Sequence, residues 1–250
     1  MKKFIIFFVS ICFSLTLFAN NNEIFNEAIK AYSDKDYKKS VKLFDELIKT
    51  DSLNPTLHYN LGTAYLRLQN AGLSIYHLEK SLKLNPNNEA ARVNLNFAEK
   101  LKTTVTKGNL PVPQQQMLYS VFNFMKPNTW ATCTIIFMIV AVVLLIAFKF
   151  INNNVLKKVL FSVGITTLII SITSYFIAKN QANYLLTNHY VIIKDNNTKL
   201  LQEPRSVAKI TSNLAEGEKG FITEETDRWL KIQLSNDTIG WVDKNTVLKY

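Results

Sequence analysis

The side chains that could do chemistry are few, and their spacing does not favour catalysis. The chain has 250 residues, with three histidines and two cysteines. His58, His77 and His189 are scattered and form no metal-ligand or base–nucleophile pattern, so each reads as a packed or surface histidine. Cys12 and Cys133 both fall inside apolar runs, which excludes a zinc site or a disulfide framework in the polar parts. Glu224, Glu225 and Asp227 cluster just before Trp229. Paired carboxylates can do acid–base work, but a turn-like stretch between strands reads more simply as a solvated loop. The expectation is a binding protein rather than an enzyme, with no cofactor and no metal.

The charge points the same way once it is mapped. The net charge is +10, yet residues 20–107 carry 13 basic and 10 acidic side chains, and residues 183–250 carry nine of each. The remaining positive charge is Lys2, Lys3, Lys126, Lys149, Lys157, Lys158 and Lys179, all flanking apolar runs. That is the distribution of a membrane-topology signal, not of a phosphate-binding patch, and nucleic acid is not an expected partner.

The elements carrying those runs come next. Met1-Lys2-Lys3 followed by the apolar Phe4–Phe18 reads as a signal peptide over residues 1–19, with Ala19 before the cleavage point. Cys12 follows Ile11 rather than a small residue, against a lipoprotein site. Trp130–Phe148 and Val159–Ala178 contain no charged residue, and each is long enough to span roughly 30 Å of hydrocarbon. These place transmembrane helices at 129–151 and 159–178. The loop 152–158 between them, with Lys157 and Lys158 and with Lys149 beside it, is expected in the cytoplasm. A secretory signal and a lysine-rich turn agree: both soluble parts face the periplasm or exterior of a bacterial inner membrane. Neither span holds Asp, Glu, Arg or His, which disfavours an ion or proton path.

Residues 20–103 repeat with a period of 34. Ala28 recurs as Gly62, Ser40 as Ser74, Phe44 as Leu78, Ile48 as Leu82 and Asp51 as Asn85. Each unit reads as two amphipathic helices joined by a turn, at Asp34–Asp36 and at Gln69–Gly72. Glu89–Leu101 reads as a further helix, with Ala90, Val93, Leu95 and Phe97 as its expected apolar face. Asn60-Leu61-Gly62, Tyr65, Ser74, Leu78 and Pro86 resemble the tetratricopeptide repeat, the first unit being the weaker match. The resemblance implies a protein-binding groove, and by analogy to the family its lining is Phe25, Ile29, Tyr59, Thr63, Arg67 and Phe97.

Residues 104–128 read as a proline-bearing linker, with Pro111 and Pro113, followed by an aromatic interfacial segment. From residue 183 the texture changes to short strand-like runs with turn residues between them: Tyr190–Ile193, Lys199–Leu201, Lys219–Ile222, Trp229–Leu234 and Ile239–Val242. Five short strands suit a small closed barrel. Pro204, Gly217-Glu218, Trp229-Leu230-Lys231-Ile232 and Gly240-Trp241-Val242 resemble a bacterial SH3-like domain. That resemblance puts Trp229 and Trp241 on a ligand-binding face.

The expected fold is therefore a multidomain membrane protein: all-α tetratricopeptide helical repeats, two transmembrane helices and a small all-β SH3-like barrel. In this order and length the chain resembles the BatE family of bacterial aerotolerance-operon proteins. The family resemblance implies a membrane-anchored scaffold beside membrane proteins with von Willebrand A domains, linked to a MoxR-type ATPase. The alternative is a cell-wall protein that binds peptidoglycan through the SH3-like domain.

Overall fold

The computed structural model describes residues 21–102 and 109–250. The signal-peptide reading of residues 1–19 and the polar run Thr103–Lys107 lie outside the described residues. The chain forms two compact units: one runs to Leu110 and resumes over His189–Tyr250, and the other is Pro111–Asn188.

The first unit begins with five helices: α1 over 21–33, α2 Tyr37–Thr50, α3 Pro55–Arg67, α4 Ala71–Leu84 and α5 Glu89–Lys100. Their ends keep the 34-residue period in physical form. Lys35 and Gln69 each adopt a left-handed backbone, with φ of 64° and 58°, and turn the chain from one helix into the next. Asp36 and Asn70 then cap α2 and α4, accepting from the amides of Lys39 and Leu73. Asn54 and Asn88 do the same for α3 and α5. Within each hairpin a buried serine ties the second helix to the first: Ser40 Oγ donates to Ala28 O at 2.9 Å, and Ser74 Oγ to Gly62 O at 2.8 Å. Gly62 permits the close approach, since a Cβ there would lie 2.6 Å from Leu78 Cγ.

The buried stripe of α5 differs from the expected one. Ala91 and Ala98 are buried and Leu95 packs with them, whereas Ala90, Val93 and Phe97 are exposed. The 91–95–98 spacing also fits a helical stripe, and it is the one that meets α4; nothing among the described residues of the unit covers the opposite side.

The C-terminal part has seven strands, not five: β1 Tyr190–Ile193, β2 Thr198–Leu201, β3 Ile210–Leu214, β4 Lys219–Glu225, β5 Trp229–Leu234, β6 Ile239–Asp243 and β7 Val247–Lys249. They form one antiparallel sheet in the order β3-β2-β6-β5-β4-β1-β7, with β3 and β7 at its ends, so strand pairing does not close it into a complete barrel. Sequence reading missed β3 because its residues are mostly exposed, and β7 because it is three residues long and follows a 3₁₀ turn at Lys244–Thr246. Val191, Ile193, Leu200, Leu230, Ile232, Leu234 and Val242 fill the inside of the curved sheet.

Strand β1 is buried on both faces. Val191 and Ile193 point into the sheet's own core, while Tyr190 and Ile192 join Ile75, Leu78, Ala91, Ala98 and Tyr250 in a second core. The sheet thus seals the end of the helical array. Glu216 Oε1 accepts from the Gly72 amide at the start of α4 (2.7 Å), and Lys219 Nζ pairs with Glu79 at 2.8 Å. Gly217 turns here at φ +81°, and a Cβ on it would sit 2.8 Å from Ile75 Cδ1, so this turn needs glycine on two counts.

The second unit holds α6 Gln114–Phe122, α7 Pro127–Phe150 and α8 Asn154–Leu186. Helices α7 and α8 pack as a hairpin and are both long and apolar enough to cross a membrane. Gly164, Ser171, Ser174 and Ala178 line the buried face of α8; Ser171 Oγ donates to Thr134 O at 2.9 Å. Large residues such as Ile139, Val143, Ile169 and Phe176 point outward. Lys157 and Lys158, expected in a loop, sit on the first turns of α8, because Asn153 caps the helix by accepting from Val155 and Leu156.

Candidate functional site

The first helices of the successive repeats, α1, α3 and α5, share one face, and side-chain bonds join it. Thr63 Oγ1 on α3 accepts from Asn94 Nδ2 on α5 at 2.9 Å while donating to Tyr59 O. Arg67 Nε, one turn further along α3, donates to Tyr32 Oη on α1 at 3.1 Å. Tyr32 and Asn94 were not among the residues anticipated for this face; Asn94 carries no sequence signal beyond its place on α5.

The six anticipated groove residues divide. Phe25 turns inward, edge-on to Phe44 at 5.7 Å, and Tyr59 packs into the core shared with the sheet. Thr63 is half-buried. Ile29, Arg67 and Phe97 are open to solvent, Phe97 at 53 % with the Lys100 ammonium 5.5 Å from its ring centre. The face therefore exposes two apolar side chains, Ile29 on α1 and Phe97 on α5, and one guanidinium, Arg67 on α3.

Trp229 and Trp241 lie on the outer side of the sheet, away from its core. Arg228 stacks on Trp229 at 5.3 Å and pairs with Asp243 at 2.8 Å. Lys231 Nζ lies 5.6 Å from the Trp241 ring centre, and Trp241 is buried. Glu225 of the acidic cluster is held by Lys244 and Lys249, whose hydrogen bonds keep its carboxyl below the usual range, and Glu224 pairs with Lys231.

Two of the scattered histidines come together. His58 on α3 and His77 on α4 approach Nδ1 to Nδ1 at 2.9 Å, both buried. His58 Nε2 lies 3.1 Å from Ser52 O, an acceptor only, so Nε2 carries His58's proton. His58 Nδ1 then accepts, and His77 Nδ1 must donate. Two neutral imidazoles satisfy this arrangement; two cations cannot. Burial pushes His58 down to about 4, and burial together with His58 and Lys80 pushes His77 well below its ordinary value. Tyr65 stacks on His77 at 5.6 Å, and its hydroxyl donates to Asp45 at 3.4 Å. Burial and Asp45 raise that hydroxyl to about 12. The two rings are buried and hydrogen-bonded to each other, and among the described residues no group of three His, Cys, Asp or Glu is placed to hold a metal ion.

Comparison with curated proteins and with solved structures returns no match. The tetratricopeptide repeat family model matches residues 55–88, which are α3, α4 and the turn that follows, and a repeat of this kind suggests protein–protein interaction.

Proposed function

We propose that this protein is a membrane-anchored scaffold that holds partner proteins on the α1–α3–α5 face. The observation that carries the reading is the joined face itself: Thr63–Asn94 and Arg67–Tyr32 tie three helices into one surface, on which Ile29, Arg67 and Phe97 are exposed. Exposed apolar side chains and an arginine on a fixed surface are the residue types that anchor protein partners.

Helices α7 and α8 are the anchor. Helices α1–α5 and the sheet pack as one unit across shared cores and the Lys219–Glu79 ion pair, which supports an even number of crossings with both soluble parts on one side. Three lysines at the α7–α8 turn favour the cytoplasm for that turn, and hence the periplasm or exterior for the scaffold. The order of parts agrees with a BatE-type role in an aerotolerance or stress-related membrane complex. Its partners would be membrane proteins with von Willebrand A domains, linked to a MoxR-type ATPase.

The test is crosslinking of the tagged chain in intact membranes, followed by mass spectrometry of what is recovered. Wild type brings down defined membrane proteins, and the Ile29→Ser/Phe97→Ser variant, which disturbs only exposed positions, recovers at least several-fold less. Unchanged recovery from that variant removes the repeat face as the site.

A further inference from the structure

The unit Pro111–Asn188 contains five lysines and not one Asp or Glu; all 19 acidic residues of the chain lie outside it. No ammonium group there has a carboxylate partner within its unit. Three of the five gather at one end of the hairpin, Lys149 in the last turn of α7 and Lys157 and Lys158 on the first turns of α8.

An open cleft of about 350 Å³ lies at this end, lined by Phe148, Asn154, Lys157, Lys158 and Phe161. The Phe148 and Phe161 rings meet at 5.6 Å and 46°, forming an apolar wall, and the Lys157 ammonium lies 5.1 Å from the Phe148 ring centre. Two adjacent cations repel each other, and an anion between them relieves that repulsion. A bias of lysines toward one side of a membrane accounts for their end of the hairpin. It does not account for a cleft that sets them beside two aromatic rings.

We propose that this cleft binds the headgroup of an anionic glycerophospholipid, with the Lys157 and Lys158 ammonium groups and the Asn154 carboxamide on the phosphodiester. Phe148 and Phe161 then lie against the glycerol and the first methylenes of the acyl chains. A free phosphate ion satisfies the cations but makes no use of the aromatic wall beside them, so the lipid is the better match. The proposal rests on the reading that α7 and α8 cross a membrane.

The experiment is native mass spectrometry of the full chain in neutral detergent with equimolar short-chain phosphatidylglycerol and phosphatidylcholine. Wild type retains phosphatidylglycerol over phosphatidylcholine by on the order of tenfold. Lys157→Gln/Lys158→Gln falls to parity, Lys157→Arg/Lys158→Arg keeps the preference, and Lys126→Gln/Lys179→Gln, the same charge change at the other end, lowers it far less. A wild type without preference, or a double glutamine variant that keeps it, overturns the proposal. Loss of the bound lipid to excess inorganic phosphate overturns the lipid assignment in favour of a free-anion site. Alkaline carbonate extraction of native membranes separates the two readings. A chain that stays in the pellet without lipid preference defeats the cleft alone, and a chain released to the supernatant defeats the membrane reading and the cleft with it.

Discussion

Set one repeat-length apart, the two helical hairpins differ at a few telling positions. The first carries Ile24 and Leu43 where the second carries His58 and His77, Val41 where the second has Ile75, and Ala28 where the second has Gly62. Their frames are the same: the same left-handed turn, the same caps and the same serine-to-carbonyl bond. Their surroundings are not. Helix α2 buries Ser40, Phe44 and Leu47, a single stripe, while α4 buries Ala71, Gly72, Ser74, Ile75, His77, Leu78 and Ser81. Helix α4 is covered by α3 and α5 on one side and by the sheet on the other. The difference teaches how so short an array holds together: a helical repeat cannot bury its apolar face alone, and here a β-sheet does what further repeats would do elsewhere.

The largest effect that tests this contrast is at the sealed end. Ile75→Ala, at a position with no exposure, should cost about 3–4 kcal/mol. Val41→Ala, half-buried on α2, should cost about 1 kcal/mol. Hydrogen exchange of the α4 and α2 amides reads both, and equal costs would show that the sheet adds nothing to α4.

Next comes pH. His58 and His77 resist protonation when folded, so the unfolded chain binds more protons at these sites once the pH drops below the ordinary histidine range. The contribution of His58 is therefore complete above about pH 6.5 and is lost as pH falls toward about 4, and His77 acts in the same direction. The loss attached to His58 is roughly 3 kcal/mol when fully developed. Replacing the pair by the residues of the first hairpin, His58→Ile with His77→Leu, should flatten the acid side of the stability curve in urea titrations. Parallel curves for variant and wild type would place the acid sensitivity elsewhere.

Smaller still is the helix crossing. Gly62→Ala puts a methyl against Leu78 and should destabilise by about 1–2 kcal/mol. The first hairpin already carries alanine at this place, opposite Phe44. Ala28→Gly there should cost about 1–2 kcal/mol, from the helical backbone and from the loss of a buried methyl. Thermal melts of the two variants compare them directly. Smallest is Glu216→Gln, which keeps a hydrogen bond to the Gly72 amide but removes the negative charge at the start of α4; a loss of about 0.5–1 kcal/mol is expected, shrinking in high salt.

Much of this molecule was legible before its structure. The 34-residue period is local information: capping side chains, turn residues and a small residue opposite a large one all act within one hairpin, so Asp36, Asn70, Ser40 and Ser74 carry the repeat in their own chemistry. The two apolar helices were legible for the same reason, since length and the absence of charge suffice. The face of α5 was not. Two stripes on that helix satisfy the periodicity, and α4 selected the one containing Ala91 and Ala98. The strands β3 and β7 are too short or too exposed to announce themselves.

What the sequence determined by itself is the set of parts: helical hairpins, apolar spans and a strand-rich end, each written in short-range patterns. The tertiary structure alone decided how distant parts meet. It brought His58 onto His77, Glu216 onto the start of α4, and Tyr190 and Ile192 onto Ile75 and Leu78. The physical reason is separation along the chain: an ion pair such as Lys219–Glu79 joins residues 140 positions apart, and no local propensity records which surface will be there to receive it.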